Sequence, residues 1–238
     1  MKDDHDAVTL DAFAGELQEA RTVASSPLPE AVSTVAAEEE KTPGVGYGSS
    51  SNTPNEIKDL WMTPKEVFNY FADLFDIVAD VATNGDNSLH PNFITEEEDA
   101  TANAWRPFLE AKYPDLDLGG KYVWCNPPFS NIKPFVERAI EAMKSDLGTV
   151  MLVPADTSTA WFALAGKECD TVRFLSVGRI AFIRADTGKP TNGNNKGTAF
   201  FIFKPGEKKR KGTANMMFMH KQDILPDRRF KKKKEGEQ

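Results

Sequence analysis

From residue 60 onward, apolar residues alternate between helical spacing and short continuous runs. The helical spacing predicts helices over residues 64–75, 132–144 and 159–167, with a further helix start at residues 96–99. The continuous runs predict strands over residues 77–82, 93–95, 123–125, 149–153 and 171–177. This alternation is typical of the α/β class, in which a mostly parallel sheet carries helices on both faces.

The first helix should begin after Thr63, because Thr is a common N-cap and Pro64 suits a first helical turn. Its apolar stripe consists of side chains three and four positions apart, namely Val67, Phe68, Phe71 and Leu74. Trp61 precedes this helix and has two interpretations, a core aromatic that packs against the helix or a side chain of a ligand site.

The last apolar runs differ from the rest, because no helix separates them. Residues 179–184 and 198–204 are strand-like, and the polar segment 185–197 between them is rich in Gly and Asn. This pattern predicts an antiparallel hairpin at the edge of the sheet.

The two ends of the chain carry opposite charge. Residues 1–60 contain 4 Lys and Arg against 12 Asp and Glu, whereas residues 204–238 contain 12 against 5. Residues 1–55 have too few apolar side chains to offset the entropy of ordering, so we predict a disordered acidic arm there. We predict one domain over residues 56–205 and a basic tail over residues 206–238, which would attract phosphate without reading sequence.

Composition narrows the functional class. The two cysteines, Cys125 and Cys169, are too few for a disulfide scaffold, which favours the reducing cytoplasm over secretion. Three scattered histidines give no support for a metal site. No run of about 18 apolar residues occurs, so we expect neither a signal peptide nor a membrane span. We also expect a monomer.

The run Val123-Trp124-Cys125 leads into a rigid turn, Asn126-Pro127-Pro128-Phe129, which we name the Asn-Pro-Pro-Phe turn. The two prolines fix φ and lack an N–H, so the carbonyls of Asn126 and Pro127 cannot be used up in a regular helix or ladder. The turn therefore presents acceptors and an aromatic ring, which suits an amino group attached to an aromatic base. The alternative is a strand that ends in a Pro-rich corner with a core Phe129.

Asp80 lies near the carboxyl end of the predicted strand 77–82. Ligands of open α/β sheets bind outside those strand ends, and a buried acid without a partner is costly. We therefore predict a ligand role for Asp80, with a structural cap of the following loop as the alternative.

The ordered motifs resemble the phage DNA N-6-adenine methyltransferases of the Dam type. The resemblance covers roughly residues 57–204, and the sequence Trp-Cys-Asn-Pro-Pro-Phe is its most specific part. The other matching motifs are Trp61-x-Thr63-Pro64, Asp80-Val81-Ala82, Phe93-Ile94-Thr95 with Trp105, Arg173-Phe174-Leu175 and Gly178-Arg179-Ile180-x-Phe182.

The resemblance implies a Rossmann-like methyltransferase fold, S-adenosylmethionine as methyl donor and double-stranded DNA as partner. It implies catalytic roles for the Asn-Pro-Pro-Phe turn, in which Asn126 and Pro127 accept the two amine hydrogens and Phe129 stacks on a flipped adenine. The implied cofactor-binding residues are Trp61, Thr63, Pro64, Asp80, Val81 and Asp99. Arg179, Lys189 and Lys196 are the residues expected to grip DNA, with plain surface charge as the alternative.

Three other functions stay open from the sequence. The same turn could hold cytosine N4, an RNA base or a glutamine amide, although the basic tail favours nucleic acid. The acidic arm could instead mimic DNA in a non-catalytic interaction protein, or the chain could be a structural domain. No base-reading helix is identifiable, so a short recognition site and broad adenine methylation are both open.

Overall fold

The computed structural model describes residues 59–191, 196–206 and 214–225. Its helices are α1 (Lys65–Ala72), α2 (Trp105–Lys112), α3 (Ile132–Lys144), α4 (Ala160–Glu168) and α5 (Lys221–Ile224). Its strands are β1 (Ile77–Thr83), β2 (Phe93–Thr95), β3 (Tyr122–Cys125), β4 (Gly148–Pro154), β5 (Thr171–Ser176), β6 (Thr198–Phe203) and β7 (Asn215–His220).

The described strands form one sheet in the order β2-β1-β3-β4-β6-β5-β7. Strand β1 pairs in parallel with β2 and β3, and β3 pairs in parallel with β4. Strand β6 runs antiparallel to both β4 and β5, and β7 runs parallel to β5. The predicted α/β class with a mostly parallel sheet is confirmed, and it is consistent with a methyltransferase fold.

Helices and loops cover both faces of the sheet, as predicted. One hydrophobic cluster joins the sheet to α2, α3 and α4, and its members include Trp105, Val136 and Phe162. The other cluster joins the opposite face to α1 and to the stretch around Ile180 and Phe182. Both faces of the central strands are therefore buried, which explains the continuous apolar runs in their sequence.

Helix α3 has the bounds that its apolar spacing predicts, whereas the first helix is shorter than predicted. Helix α1 ends at Ala72, and the predicted stripe residue Leu74 is 51% exposed. The N-cap position belongs to Pro64, and Thr63 does not cap the helix. Thr63 is instead buried, so its side chain faces the protein interior beside the helix start.

The predicted helix start at residues 96–99 is wrong. These residues form a turn in which Asp99 has a left-handed φ of 49° and accepts from the backbone N–H groups of Thr101 and Ala102. The helix begins only at Trp105, whose buried indole donates to the Ala100 carbonyl at 2.7 Å. The acidic run therefore belongs to a loop between β2 and α2.

The antiparallel element exists, but its partners differ from the predicted hairpin. Residues 179–184 do not form a strand, and Ile183 makes isolated bridges to Met62 and Pro190. The left-handed φ values of Val177 and Gly178, 55° and 119°, turn the chain away from the sheet after β5. Strand β6 is buried along its whole length, and it lies between β4 and β5 rather than at the edge.

The sheet extends beyond the predicted domain boundary at residue 205, because β7 pairs with β5. The division into arm, domain and tail stays a prediction, since residues 1–58, 207–213 and 226–238 lie outside the described residues. Within the described ranges, no helix has the length and apolar character needed to cross a membrane.

Candidate active site

A cleft of about 350 Å³ opens at the carboxyl ends of β1, β2 and β3. The sheet order reverses here, because β2 lies on one side of β1 and β3 lies on the other. Such a switch point is where open α/β sheets bind ligands. Its size is within the range of small-molecule sites. Its lining includes Val81, Asn84, Glu96, Asp99, Asn126 and Pro128.

Asn126 follows β3 directly and is the most informative side chain in the cleft. Its Nδ2 donates to the backbone carbonyl of Trp61 at 3.3 Å. Its Oδ1 is buried and has no hydrogen-bond partner among the described residues. Because buried polar atoms are nearly always paired, an acceptor left without a donor requires an explanation such as a ligand.

The rest of the turn is held by its own backbone and by aromatic packing. The Pro128 carbonyl accepts from the N–H of Asn131, which starts helix α3. The half-buried Phe129 ring meets Phe182 edge-on at 5.7 Å, and Phe182 stacks on Trp61 at 6.1 Å. Trp61, Phe182 and Phe129 thus form one aromatic row, and none of the three lines the cleft.

Asp80 does not line the cleft. Its buried carboxyl group accepts from the N–H of Ala82 at 3.2 Å and from the N–H of Leu89 at 3.1 Å. Burial raises its pKa to about 6, although the backbone N–H groups of Leu89 and Ala82 act in the opposite direction. The contacts are those of a cap for the loop after β1, and a ligand role for Asp80 stays a prediction.

The comparison with known proteins assigns the family. The family model for DNA N-6-adenine-methyltransferase (Dam) matches residues 50–226. The chain belongs to this family. The family expected from the motifs is therefore confirmed.

Two curated relatives of this family carry the same name. The DNA N-6-adenine-methyltransferase of Escherichia phage T1 is 33% identical over 220 residues, which are 86% of this chain and 86% of that protein. The DNA N-6-adenine-methyltransferase of Haemophilus phage HP1 (strain HP1c1) is 36% identical over 160 residues, which are 66% of this chain and 85% of that protein. No solved structure matches the chain.

The structure separates the residues that the Dam family resemblance assigned to the cofactor. Val81 and Asp99 line the cleft, whereas Trp61, Thr63 and Pro64 do not. The Trp61 Nε1 and the Thr63 Oγ1 are buried and lack a partner among the described residues. The pKa of Asp99 is lowered, first by the hydrogen bond from the Thr101 hydroxyl, so this carboxylate is charged at the cleft.

Sequence reasoning missed several cleft residues of this Dam family member. Glu96 is exposed at the end of β2, and its N–H donates to the Thr83 carbonyl at 2.9 Å. Asn84 and Asn87 face the cleft from the loop after β1, where each accepts from the backbone N–H of the other. An acid directly after the second parallel strand was a usable signal, because such an acid binds ribose hydroxyls in dinucleotide-binding sheets.

The three residues predicted to contact DNA are exposed and do not line the cleft. Arg179 and Lys189 lie in the irregular segment after β5. Lys196 forms an ion pair with Asp156 after β4, which lowers the pKa of that carboxyl. The described part of the chain contains no cluster of His, Cys, Asp and Glu suited to a metal ion.

Proposed function

We propose that this member of the Dam family transfers a methyl group from S-adenosylmethionine to the N6 amine of adenine in double-stranded DNA. The observation that carries the proposal is the asymmetric bonding of Asn126. Its Nδ2 donates to the Trp61 carbonyl, while its Oδ1 is a buried acceptor that has no donor among the described residues. An exocyclic amine supplies the missing donor.

Asn126 and Pro127 would act on the amine together. The lone pair of adenine N6 is delocalised into the ring, so the amine is a poor nucleophile while its hydrogens lie in the ring plane. Asn126 Oδ1 and the Pro127 carbonyl would accept one hydrogen each and favour a more tetrahedral nitrogen. This interaction strengthens as the nitrogen attacks, so it stabilises the transition state more than the bound base.

Asn126 is an acceptor in this account and not a general base, because an amide is scarcely basic. Bound S-adenosylmethionine would supply the methyl carbon, whose bond to sulfur would be replaced by a bond to N6. The methylated nitrogen would then lose its proton to solvent. The chain contributes orientation and hydrogen-bond acceptors, which lower the barrier without a proton transfer to a side chain.

The cleft suits the methyl donor, S-adenosylmethionine. When bound, S-adenosylmethionine supplies a methyl group activated by a positively charged sulfur. The apolar walls of Val81, Ile94 and Phe135 would hold its adenine ring, and Glu96 would accept from its ribose hydroxyls. The charged Asp99 carboxylate favours a ligand that carries positive charge. Asn126 borders the same cleft, which brings the acceptor amine beside the donor.

A target adenine inside a duplex cannot reach this turn, so it must be flipped out of the stack at a cost of a few kcal/mol. The Phe129 ring would replace part of the lost stacking. Arg179 and Lys189 are exposed cations after β5 that would contact phosphates of the duplex.

The acceptor is tested by digestion of modified nucleic acid to nucleosides. Purified full-length chain is incubated with S-adenosylmethionine and either unmethylated double-stranded DNA or RNA, and the methylated nucleosides are identified by mass spectrometry. The proposal predicts N6-methyladenine in the DNA. Methyl groups found only on cytosine N4, or only in RNA, would contradict it.

A further inference from the structure

Asp59 holds the far end of the Asn-Pro-Pro-Phe turn. Its Oδ1 accepts from the backbone N–H of Ser130 at 3.0 Å, and its Oδ2 accepts from the Ser130 hydroxyl at 2.5 Å. The two residues are 71 positions apart, so the contact is tertiary. A carboxylate that accepts two hydrogen bonds from one residue fixes both the position and the orientation of that residue.

The same short segment holds the near end of the turn. Trp61, two residues after Asp59, accepts from the Asn126 amide. The next residue, Met62, exchanges backbone hydrogen bonds of 2.8 and 2.9 Å with Ile183. Residues 59–62 are therefore hydrogen-bonded to the segment around Ile183, and they also contact the turn at both of its ends.

The sequence of the turn explains why an external partner is needed. Pro127 and Pro128 have no N–H, so the turn has few backbone donors with which to hold its own shape. The N–H of Ser130 is one of the first donors after the two prolines, and Asp59 accepts from it. The remaining bond, from Asn131 to the Pro128 carbonyl, fixes only the start of α3.

We propose that Asp59 is a positioning residue for methyl transfer, which acts through Ser130 and keeps Asn126 and Phe129 aligned on the target amine. This inference rests on the proposed function and adds a residue to it. Asp59 also lines the cleft. A direct contact with the methyl donor is therefore the competing role of Asp59, and measurements can distinguish it from the positioning role.

The test compares kinetics in the full-length chain for Asp59→Ala, Asp59→Asn, Ser130→Ala and the double variant Asp59→Ala with Ser130→Ala. Loss of two hydrogen bonds to a carboxylate should lower kcat about tenfold in Asp59→Ala, and Ser130→Ala should lose less because its N–H remains. Asp59→Asn should recover part of the rate, since one acceptor oxygen is kept. The double variant should be no slower than Asp59→Ala, because the two residues act as one unit.

The affinity for S-adenosylmethionine distinguishes a positioning role of Asp59 from a direct contact with the methyl donor. Calorimetric titration with S-adenosylmethionine should give the same Kd for wild type and Asp59→Ala. Glu137→Ala removes an exposed acid of an ion pair on α3 and is the matched control, which should leave kcat and Kd unchanged. A weaker Kd with unchanged kcat in Asp59→Ala, or additive losses in the double variant, would overturn the inference.

Amide hydrogen exchange gives a readout that does not depend on activity. The Ser130 N–H should exchange about tenfold faster in Asp59→Ala than in wild type, because its acceptor has been removed. Unchanged exchange would overturn the inference even if the activity fell. A wild-type chain that methylates no adenine would instead overturn the proposed function, and exchange at Ser130 would still report whether Asp59 orders the turn.

Discussion

The side-chain amide of Asn126 donates to the backbone carbonyl of Trp61 at 3.3 Å, and this bond orients the whole amide group. With Nδ2 committed, Oδ1 is the end left to accept from a ligand. The residues lie 65 positions apart, so the stretch around Trp61 orients a side chain that lies far away in the sequence, directly after β3.

Removal of the Asn126 acceptor should abolish most of the activity. Asn126→Ala should lower kcat by about 100-fold or more, the scale seen when one transition-state hydrogen bond is deleted. Asn126→Asp should be similarly slow, because a carboxylate oxygen would face the Trp61 carbonyl with no proton between them. Single-turnover methylation of a DNA duplex measures both rates.

Binding controls separate chemistry from folding for Asn126. Both variants should bind S-adenosylmethionine with the wild-type Kd, and their thermal unfolding should stay close to that of wild type. Asn69→Ala is a matched control, because Asn69 is exposed on α1 and does not line the cleft. Full activity in Asn126→Ala would remove this residue from the mechanism.

Phe129 should contribute to the binding of the target base. Phe129→Leu keeps an apolar side chain against Phe182 but removes the aromatic face. Stacking on a base is worth about 1–3 kcal/mol, so kcat/KM for DNA should fall about 10-fold or more. The comparison is Phe174→Leu, a half-buried aromatic on β5, which should change stability but not kcat/KM. Equal kinetic losses in the two variants would argue against a stacking role.

Glu96 should contribute to the binding of S-adenosylmethionine. A hydrogen bond to a charged group is worth about 1.5–3 kcal/mol, so Glu96→Gln should weaken S-adenosylmethionine binding by about tenfold. Its neighbour Glu97 is also exposed and does not line the cleft, so Glu97→Gln is the matched control. Calorimetry measures both affinities. Indistinguishable values for the two variants would show that the ribose site lies elsewhere.

Asp80 should make the stability of the protein depend on pH. Its pKa of about 6 in the folded state lies above the ordinary value of 3.8, because burial disfavours the charged form. The folded state therefore holds the proton more tightly. The resulting stabilisation is complete below about pH 4 and is lost as the pH rises through about 6, an effect of about 3 kcal/mol.

The variant Asp80→Asn isolates this effect, because it does not titrate. The free energy of unfolding from urea denaturation at pH 4 to 8 should fall with rising pH in wild type relative to the variant. A difference between the two proteins that stays constant across this range would show that Asp80 titrates normally. A difference that grows in favour of wild type as the pH rises would reverse the assigned direction.

The sequence allowed the fold class to be predicted because buried parallel strands carry an unmistakable apolar pattern. Helix α3 was predicted to the residue, since its apolar spacing is uninterrupted. The hairpin was wrong because Ile180 and Phe182 have a strand-like pattern but pack as a loop on the core, while β6 enters the middle of the sheet. Pairing of distant strands depends on tertiary context that local periodicity does not contain.

The candidate site was predicted only in part, because some of its residues are brought together by tertiary contacts that the local sequence does not contain. The Asn-Pro-Pro-Phe turn could be recognised because its residues are contiguous and its backbone is restricted by proline. The proposed roles of Asp59 and Glu96 depend on where distant segments meet, and Asp59 lies before the first apolar motif. The hydrogen bonds that the Asp80 carboxyl group accepts from the backbone N–H groups of Ala82 and Leu89 could not be read from the sequence, and a ligand role for Asp80 stays a prediction.

The most direct test of the central claim is to map modified adenines across the genome of a host that lacks adenine methylation. The host expresses either the wild-type chain or Asn126→Ala. We predict N6-methyladenine in the DNA of cells that express wild type, and its loss in cells that express the variant at the same protein level. The absence of N6-methyladenine with wild type, or equal amounts with both proteins, would contradict adenine methylation through the Asn-Pro-Pro-Phe turn.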